Sequence, residues 1–343
     1  MSFDNLLESI ADTVKDYRQG EIDTITPSHI NRWVRQFDED ARIIILKEMD
    51  NILKKYYVSK QESIEFLEQI LHNSEIFGDD VLDGIEATKF LNIQRKGESQ
   101  NDLIKLIRHT LEEYYDISLD ECGKTNPSRY IYLDDCLFSG NTVRYDLKNW
   151  VADIKEPIEL HLVFIALHTD GYNYVVKSIR RDPPKKMLKL ITWRKYEFNN
   201  DPNQTEMFEC FWPMKYSDGD FVDEYVEELI EGSKEKMISP RLFRPVGLPL
   251  KDNVFSSPRN RIIIEHSFLK AGVQIRSFSK EPKEQMRPLG YHYLTSLGFG
   301  GLFITYRNIS NNCPLALWWG DPDSPKSHPL SRWYPLFLRK GNS

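Results

Sequence analysis

The stretch from Tyr130 to Val143, YIYLDDCLFSGNTV, predicts a buried parallel strand that ends at a ligand site. Its apolar start, Tyr130 to Leu133, lacks the alternation of a half-solvated strand and is typical of a strand covered on both faces. Asp134 and Asp135 then interrupt the apolar residues. The turn from Ser139 to Thr142 follows, and it can open a helix whose free amide hydrogens point at an anion.

Both halves of this stretch suit a sugar phosphate. The paired carboxylates can accept hydrogen bonds from vicinal ribose hydroxyls. The Gly140 backbone, the hydroxyls of Ser139 and Thr142 and the helix dipole can hold a phosphate. An adjacent Asp pair also ends strands in receiver domains and metal-dependent hydrolases, because strand ends of an open sheet are a general ligand location. That alternative stays open at this point.

A second loop follows another predicted strand, earlier in the chain. Thr88 to Ile93 reads as a short strand, and a helical pattern begins after the loop Gln94 to Ser99. Arg95 and Lys96 offer positive charge to an anion, and Gly97 permits a tight backbone approach. Parallel neighbouring strands would bring both strand ends to one edge of the sheet. An exposed basic turn without a ligand is the alternative.

The segments after the signature continue the alternation of strand and helix. Ile158 to His168 predicts a strand, Tyr172 to Arg180 a helix, and Met187 to Tyr196 a further strand. This order predicts an α/β fold with a parallel sheet flanked by helices. His161 and His168 lie in strand context, where a structural histidine is more common than a catalytic one, so neither receives a role.

The flanking segments predict two additions to this core. The predicted domains are a helical N-terminal module (residues 1–76), the core (77–235) and a C-terminal α+β extension (236–343). In the extension, Gly298 to Trp319 predicts two strands around a turn. Its aromatic and amide side chains could form a base-binding hood, or simply cap the core: Phe299, Tyr306, Asn308, Asn311, Asn312, Trp318 and Trp319. The apolar tail, Pro329 to Leu338, is expected to dock on the body of the protein or on a second copy.

Charge and composition exclude several classes of protein. The chain has 343 residues and a formal net charge of -7, which argues against a broad nucleic-acid surface because such surfaces need clustered Lys and Arg. Its four cysteines show no Cys-x-x-Cys pair and no signal peptide precedes them, so reduced thiols are expected. No apolar run reaches membrane-spanning length. We therefore expect a cytoplasmic protein without a membrane partner.

The stretch from Tyr130 to Val143 resembles the signature of type I phosphoribosyltransferases, with the strand, both acids, the Ser-Gly step and the final Thr in order. The loop Gln94 to Ser99 resembles, by position, their pyrophosphate loop. The resemblance implies a core that binds phosphoribosyl pyrophosphate with Mg²⁺, or a nucleotide, at the carboxyl edge of the sheet. It implies Asp134 and Asp135 as catalytic residues. The ligand-binding residues it implies are Arg95, Lys96, Gly97, Ser99, Phe138, Ser139, Gly140, Asn141 and Thr142.

Four segments extend the resemblance to a phosphoribosyltransferase-like clade of bacterial conflict and antiphage defence systems: RWVRQF near the N-terminus, the QRKGESQ loop, the signature, and GFGGLFITYRNISNNCPLALWW. This likeness implies an effector that transfers or hydrolyses a group at the anomeric carbon. Such an effector would act with a protein partner from a defence system, or as a homo-oligomer.

Two features depart from the family pattern. Phe138 stands where an Asp serves the base in purine phosphoribosyltransferases, and Tyr115 to Arg129 leaves little room for a long mobile loop. The alternative function is therefore a catalytically inactive nucleotide-binding sensor that engages a protein partner through the N-terminal helices. A scaffold with an empty pocket is the third reading.

Overall fold

The computed structural model describes residues 1–181, 188–204, 206–215, 221–235 and 241–341. The contacts within the chain divide it into two compact units. Unit 1 combines Met1–Ser59 with Asn199–Gly341, and unit 2 is Lys60–Phe198. The three-domain division drawn from the sequence stays a prediction.

Helices and strands alternate through the middle of the chain, helices dominate its N-terminal end, and the described part of its C-terminal end is mostly irregular around α11. The helices are α1 (Phe3–Thr13), α2 (Pro27–Val34), α3 (Arg42–Tyr56), α4 (Lys60–Leu71), α5 (Ser74–Phe77), α6 (Val81–Glu86), α7 (Ser99–Tyr115), α8 (Asn141–Ala152), α9 (Thr169–Ile179), α10 (Phe221–Glu235), α11 (Pro258–Ser277) and α12 (Leu315–Trp318). The strands are β1 (Tyr57–Val58), β2 (Thr88–Phe90), β3 (Arg129–Leu137), β4 (Ile158–His168), β5 (Leu188–Phe198), β6 (Ile304–Thr305) and β7 (Asn308–Ile309). None of the helices in the described ranges is both long and apolar enough to cross a membrane.

Unit 2 is built on a four-stranded parallel sheet in the order β2-β3-β4-β5. In this register Asp134 lies opposite Phe164, and Leu137 lies opposite Leu167. Because all four strands run the same way, their carboxyl ends share one edge. The predicted α/β fold with a parallel sheet flanked by helices is confirmed, and the predicted strand from Met187 is observed from Leu188, since Met187 lies outside the described residues.

One apolar cluster joins this sheet to α8 and α9. It contains Tyr132 from β3, Leu162 and Phe164 from β4, Leu147 from α8 and Val175 from α9, all of them buried. Nearly every side chain of β4 is buried, as its unbroken apolar sequence predicts for a strand covered on both faces. Burying each such side chain contributes roughly 1.5–3 kcal/mol, so the cluster fixes where α8 begins relative to the end of β3.

Unit 1 packs the C-terminal tail against the N-terminal helices. The indole Nε1 atoms of Trp33 and Trp333 both donate to the carbonyl oxygen of Ala316, at 2.9 and 3.0 Å. The Tyr17 hydroxyl donates to the carbonyl oxygen of Leu338 at 3.0 Å. The predicted docking of the apolar tail on the body of the protein is therefore observed.

The C-terminal hairpin is much shorter than the sequence suggested. In this segment the antiparallel strands are β6 and β7, of two residues each. The prediction of a second strand at PLALWWG is wrong, because Leu315–Trp318 is a helical turn. Leu and Ala favour helix, and these four side chains are all buried without the alternation of a half-solvated strand. Phe299 and Trp319 are also buried, so the rings contribute to the core of unit 1. A base-binding role for this segment stays a prediction.

Candidate functional site

The carboxyl edge of β2 and β3 gathers the two loops that the sequence singled out. β2 ends at Phe90 and the Gln94–Ser99 loop follows, while β3 ends at Leu137 and the Ser139–Thr142 turn follows. β2 pairs with β3 in parallel, with Phe90 opposite Ile131. The predicted pyrophosphate loop and the predicted phosphate turn therefore leave the same edge of the sheet.

Asp134 joins the two loops from the end of β3. Its Oδ1 accepts a hydrogen bond from the Ser99 hydroxyl at 2.5 Å and another from the Asp135 amide at 2.9 Å. The side chain is only 5% exposed. Burial, and then the neighbouring charge of Asp135, raise the pKa of Asp134 well above its usual range. Asp134 thus keeps its proton to a higher pH than an exposed aspartate and acts as an internal link.

Asp135 is the more accessible of the two acids. Its side chain is half-buried, whereas that of Asp134 is buried. One carboxylate oxygen, Oδ1, accepts a hydrogen bond from the amide of Cys136 at 2.7 Å. Adjacent residues of a strand point to opposite sides of the sheet, so the two carboxylates meet different surroundings. Of the pair, Asp135 is the one placed to meet a ligand from solvent.

The Gln94–Ser99 loop is held by a buried glutamine that the sequence analysis did not single out. Gln100 Oε1 accepts hydrogen bonds from the amides of Ile93 and Gln94 at 2.6 and 2.9 Å, and its Nε2 donates to the carbonyl oxygen of Leu133 at 3.1 Å. The hydrogen bonding is reciprocal, because the Oε1 atom of Gln94 accepts a hydrogen bond from the backbone amide of Gln100 at 3.0 Å. One side chain therefore ties the loop to β3.

Asp146 of α8 is a second anchor that the sequence analysis missed. Its Oδ1 accepts from the Arg95 amide at 3.1 Å, and its Oδ2 accepts from the Tyr132 hydroxyl at 3.0 Å. Burial raises the pKa of Asp146, and both hydrogen bonds act against that rise. A polar residue between apolar neighbours on the buried face of α8 was the available signal. The Arg95 guanidinium itself lies over the Tyr145 ring, with 5.2 Å between its Cζ and the ring centroid.

The basic part of this loop faces solvent. Arg95, Lys96 and Gly97 are exposed, and Gly97 has a φ of 92°, a left-handed conformation that glycine adopts without a steric cost. The main chain of Arg95 is fixed by Asp146, while its charged group stays at the surface. The loop therefore presents positive charge on an ordered backbone.

The phosphate turn is shaped by Gly140. It precedes α8 with a φ of 75°, and no side chain caps the helix there, so the first amides of α8 have no intrahelical acceptor. A Cβ atom at Gly140 would lie 2.6 Å from the Gly171 carbonyl oxygen and 2.6 Å from Val175 Cγ2. The turn thus rests directly on α9. The predicted ligand residues beside it are half-buried Phe138, Ser139 and Asn141 and exposed Thr142.

Phe138 belongs to a stack of three rings. Its ring lies 4.8 Å from that of His168 at an interplanar angle of 23°, and His168 lies 5.2 Å from Phe198 at 21°. His168 Nδ1 is 3.1 Å from the carbonyl oxygen of Leu137, and burial lowers the pKa of His168 to about 4. The imidazole is therefore neutral at physiological pH. An aromatic column, and no acid, stands beside the turn at this position.

No preformed metal cluster occupies this edge: no three His, Cys, Asp or Glu side chains within the described ranges are grouped to hold an ion. Mg²⁺ in phosphate-binding sites is usually held by one or two carboxylates together with the phosphates of the ligand. Asp135, the accessible acid of the pair, supplies one such carboxylate, whereas Asp134 is buried and already holds Ser99. The donor set therefore fits a magnesium ion that arrives with its ligand.

Comparison with known proteins gives one match. The PRTase-CE family model matches residues 30–339, which is most of the chain and includes both loops of the candidate site. No curated protein and no solved structure matches the chain.

Proposed function

Because the chain belongs to the PRTase-CE family and is phosphoribosyltransferase-like, we propose that the carboxyl edge of β2 and β3 binds phosphoribosyl pyrophosphate or a nucleotide and catalyses displacement at the anomeric carbon. The observation that carries the proposal is the hydrogen bond from Ser99 to Asp134. It joins the basic loop to the strand end that also carries the phosphate turn. One bound ligand can then span both loops.

The 5-phosphate is assigned to the turn from Ser139 to Thr142. Unpaired amides at the start of α8, the hydroxyls of Ser139 and Thr142 and the positive end of the helix dipole all favour an anion there. Gly140 leaves its backbone open to close approach, because it carries no side chain.

The ribose hydroxyls are assigned to Asp135, with Asp134 in a positioning role. Asp135 is reached from solvent, whereas the carboxyl of Asp134 already holds Ser99 and the Asp135 amide. The ionised carboxylate of Asp135 can accept hydrogen bonds from two vicinal hydroxyls. It would also favour the positive charge that develops on the sugar ring in an oxocarbenium-like transition state.

The leaving group is assigned to the loop that carries Arg95 and Lys96. The bond between the anomeric carbon and a pyrophosphate oxygen breaks with its electron pair on that oxygen, while a lone pair of the incoming base or water bonds to the carbon. When water attacks, its proton passes to solvent. With a nucleotide as substrate the bond to the base nitrogen breaks instead. Bound Mg²⁺ would neutralise charge on the leaving phosphates.

A second candidate function is a nucleotide sensor without turnover that signals to a protein partner through the N-terminal helices. The aromatic column at Phe138 favours it, because an apolar ring replaces the acid that would serve the base. Under this reading the same turn and the same acids hold the ligand, and no bond is broken.

Mass spectrometry of reaction products separates these functions. Purified protein is incubated with Mg²⁺ and a panel of phosphoribosyl pyrophosphate and nucleotides, beside Asp135→Asn and the control Asp79→Asn, which changes an exposed carboxyl of the same unit. Product from the wild type and the control, but not from Asp135→Asn, supports the enzyme. Binding without product supports the sensor. Absence of both product and binding overturns the ligand assignment.

The proposal also includes a setting, an effector of bacterial antiphage defence that works in the cytoplasm. Its support is the resemblance of the RWVRQF, QRKGESQ and GFGGLFITYRNISNNCPLALWW segments to that clade. Plaque counts on cells that express the wild type or Asp135→Asn test this setting. Equal plaque counts in cells with and without the wild-type protein would contradict it.

A further inference from the structure

Unit 1 contains a buried arginine, Arg287, with one guanidinium N–H that has no described acceptor. Arg287 is 4% exposed, and its Nε has no hydrogen-bond acceptor among the residues that the structure describes. A guanidinium stays charged at every accessible pH and carries five N–H donors. Burying such a group without an acceptor is costly, so it calls for an explanation.

A buried phenol and a second guanidinium lie beside it. The Tyr225 hydroxyl on α10 is also buried, and no described group meets it at full hydrogen-bond geometry, although the Arg287 side chain is near enough to act on its oxygen. Arg276 Cζ lies 5.6 Å from the centroid of the Tyr225 ring, and Arg276 Nη1 donates to the carbonyl oxygen of Met286 at 2.5 Å. This bond pins Arg276 next to the residue that precedes Arg287. The guanidinium groups of Arg276 and Arg287 and the hydroxyl of Tyr225 therefore lie near one another.

The electrostatics of the neighbouring groups agree with this geometry. Burial raises the pKa of Tyr225, and the charges of Arg287 and Arg276 act against that rise. Burial, and then the charge of Arg287, lower the pKa of His292 to about 4, so this imidazole is neutral at physiological pH. The acid that acts on Tyr225 is Glu228, an exposed residue of α10.

Elsewhere in unit 1, buried arginines are paired with acids. Arg261 Nε lies 2.9 Å from Glu265 Oε1, and Arg244 Nη2 lies 2.9 Å from Glu265 Oε2. Arg261 also meets Asp252 at 3.0 Å. Arg244 and Arg261 are thus compensated by acids of the same unit, whereas Arg287 and the half-buried Arg339 each have an Nε without a described acceptor. Of these two, Arg287 is the more deeply buried.

We propose that Arg287, Arg276 and Tyr225 form a binding site for the phosphate group of a small anion. Two guanidinium charges match the charge of a phosphate near −2, and the planar donor fork of arginine suits its oxygens. The Tyr225 hydroxyl supplies one further donor. This site consists of residues of unit 1 alone and is distinct from the phosphate turn of unit 2. The phosphate can come from inorganic phosphate or from a phosphate ester.

Thermal unfolding of the full chain tests the site. Ser139→Ala/Thr142→Ala serves as the parent, so that binding at the turn of unit 2 is weakened first. Inorganic phosphate at ten times its dissociation constant, against chloride at equal ionic strength, should raise the melting temperature of the parent by about 3 °C. Adding Arg287→Met should abolish this rise, and adding Tyr225→Phe should reduce it. Adding the control Arg259→Met, at an exposed position of α11, should leave it unchanged.

The melting temperatures without phosphate exclude a merely structural explanation. Arg287→Met should melt at or above the temperature of its parent, because it removes a buried charge that no described acid compensates and an Nε that has no described acceptor. Ribose 5-phosphate distinguishes the two sources: a larger rise than with inorganic phosphate indicates an ester, and an equal rise indicates the free anion. The proposal is overturned if phosphate stabilises Arg287→Met as much as its parent, if the parent shows no rise, or if Arg287→Met alone melts several degrees lower.

Discussion

Two buried carboxyl groups, Glu265 in unit 1 and Asp134 in unit 2, have different partners. In unit 1, Glu265 is fully buried and faces two guanidinium groups, those of Arg244 and Arg261. In unit 2, buried Asp134 receives hydrogen bonds from the hydroxyl of Ser99 and from a backbone amide, and its pKa is raised. The first arrangement satisfies its charges internally and serves stability. The second links two loops at the edge of a sheet through a carboxyl group that has no cationic partner within the described ranges, and it leaves the neighbouring Asp135 accessible.

The largest loss of stability should follow from replacing Glu265, the carboxylate that is paired with two guanidinium groups. Glu265→Gln replaces the carboxylate shared by two buried guanidinium groups with a neutral amide, and only Arg261 keeps a described acid, Asp252. We expect a loss of about 3–5 kcal/mol in the free energy of unfolding. Urea unfolding measures it, with the exposed substitution Glu39→Gln as control. A variant that unfolds at the wild-type midpoint would show that the network is not needed for stability.

A smaller loss is expected at the phosphate turn. Gly140→Ala places a methyl group 2.6 Å from a backbone oxygen and forces alanine into a left-handed φ, so we expect about 2–3 kcal/mol of destabilisation and loss of ligand binding. Gly232→Ala is the matched control, because nothing lies within 4 Å of its Cβ and it sits in α10. That substitution should raise stability by up to about 1 kcal/mol. Equal stability of the two variants would contradict the close approach to α9.

The raised pKa of Asp134 predicts that the stability of the fold depends on pH. The pKa of Asp134 is raised in the folded state, so the folded state binds more protons than the unfolded state above about pH 4, where an unfolded aspartate ionises. Stability from this group is complete at lower pH and is lost as pH rises toward the folded pKa. At pH 7 Asp134→Asn should therefore be more stable than the wild type, and the gap should shrink as pH falls toward about 4. Denaturant unfolding at several pH values measures the gap, and a gap that widens on acidification would refute the sign.

The smallest effect should come from the link between the loops. Ser99→Ala removes one hydrogen bond to Asp134, which is worth about 1 kcal/mol. Ligand affinity should fall further than stability does, since the basic loop loses its tie to the strand end. Isothermal titration with phosphoribosyl pyrophosphate, beside the control Ser74→Ala at an exposed position of α5, measures the difference. Unchanged affinity would mean that Gln100 and Asp146 alone hold the loop.

The sequence was informative where burial and chain direction decide the structure. Unbroken apolar runs identified β3 and β4, and parallel order placed the ends of β2 and β3 at one edge, as observed. The Ser-Gly step predicted an uncapped helix start, which the structure has at Gly140. These features depend on neighbours in sequence, or on the period of a single element.

The sequence was less informative where distant polar side chains decide the structure. Gln100 and Asp146 hold the basic loop through partners far along the chain, and no local period announces such pairs. The sequence predicts a strand where the structure has the helical turn Leu315–Trp318. Its apolar run is short and fully buried, and periodicity does not separate helix from strand in such a run. The packing of residues 1–59 with residues 199–341 was likewise outside the reach of local patterns.

The bare backbone at Gly140 couples the phosphate turn to α9. The carbonyl of Gly171 and a methyl of Val175 occupy the space that any side chain at Gly140 would need, and Gly171 in turn leaves no room for a Cβ beside the Phe138 carbonyl. A movement of α9 away from the phosphate turn would remove the packing contact on which the turn rests. A movement of α9 toward the turn would push the turn out of place. A contact at the outer surface of α9, which carries the exposed ring of Tyr174, would therefore be transmitted to the phosphate turn.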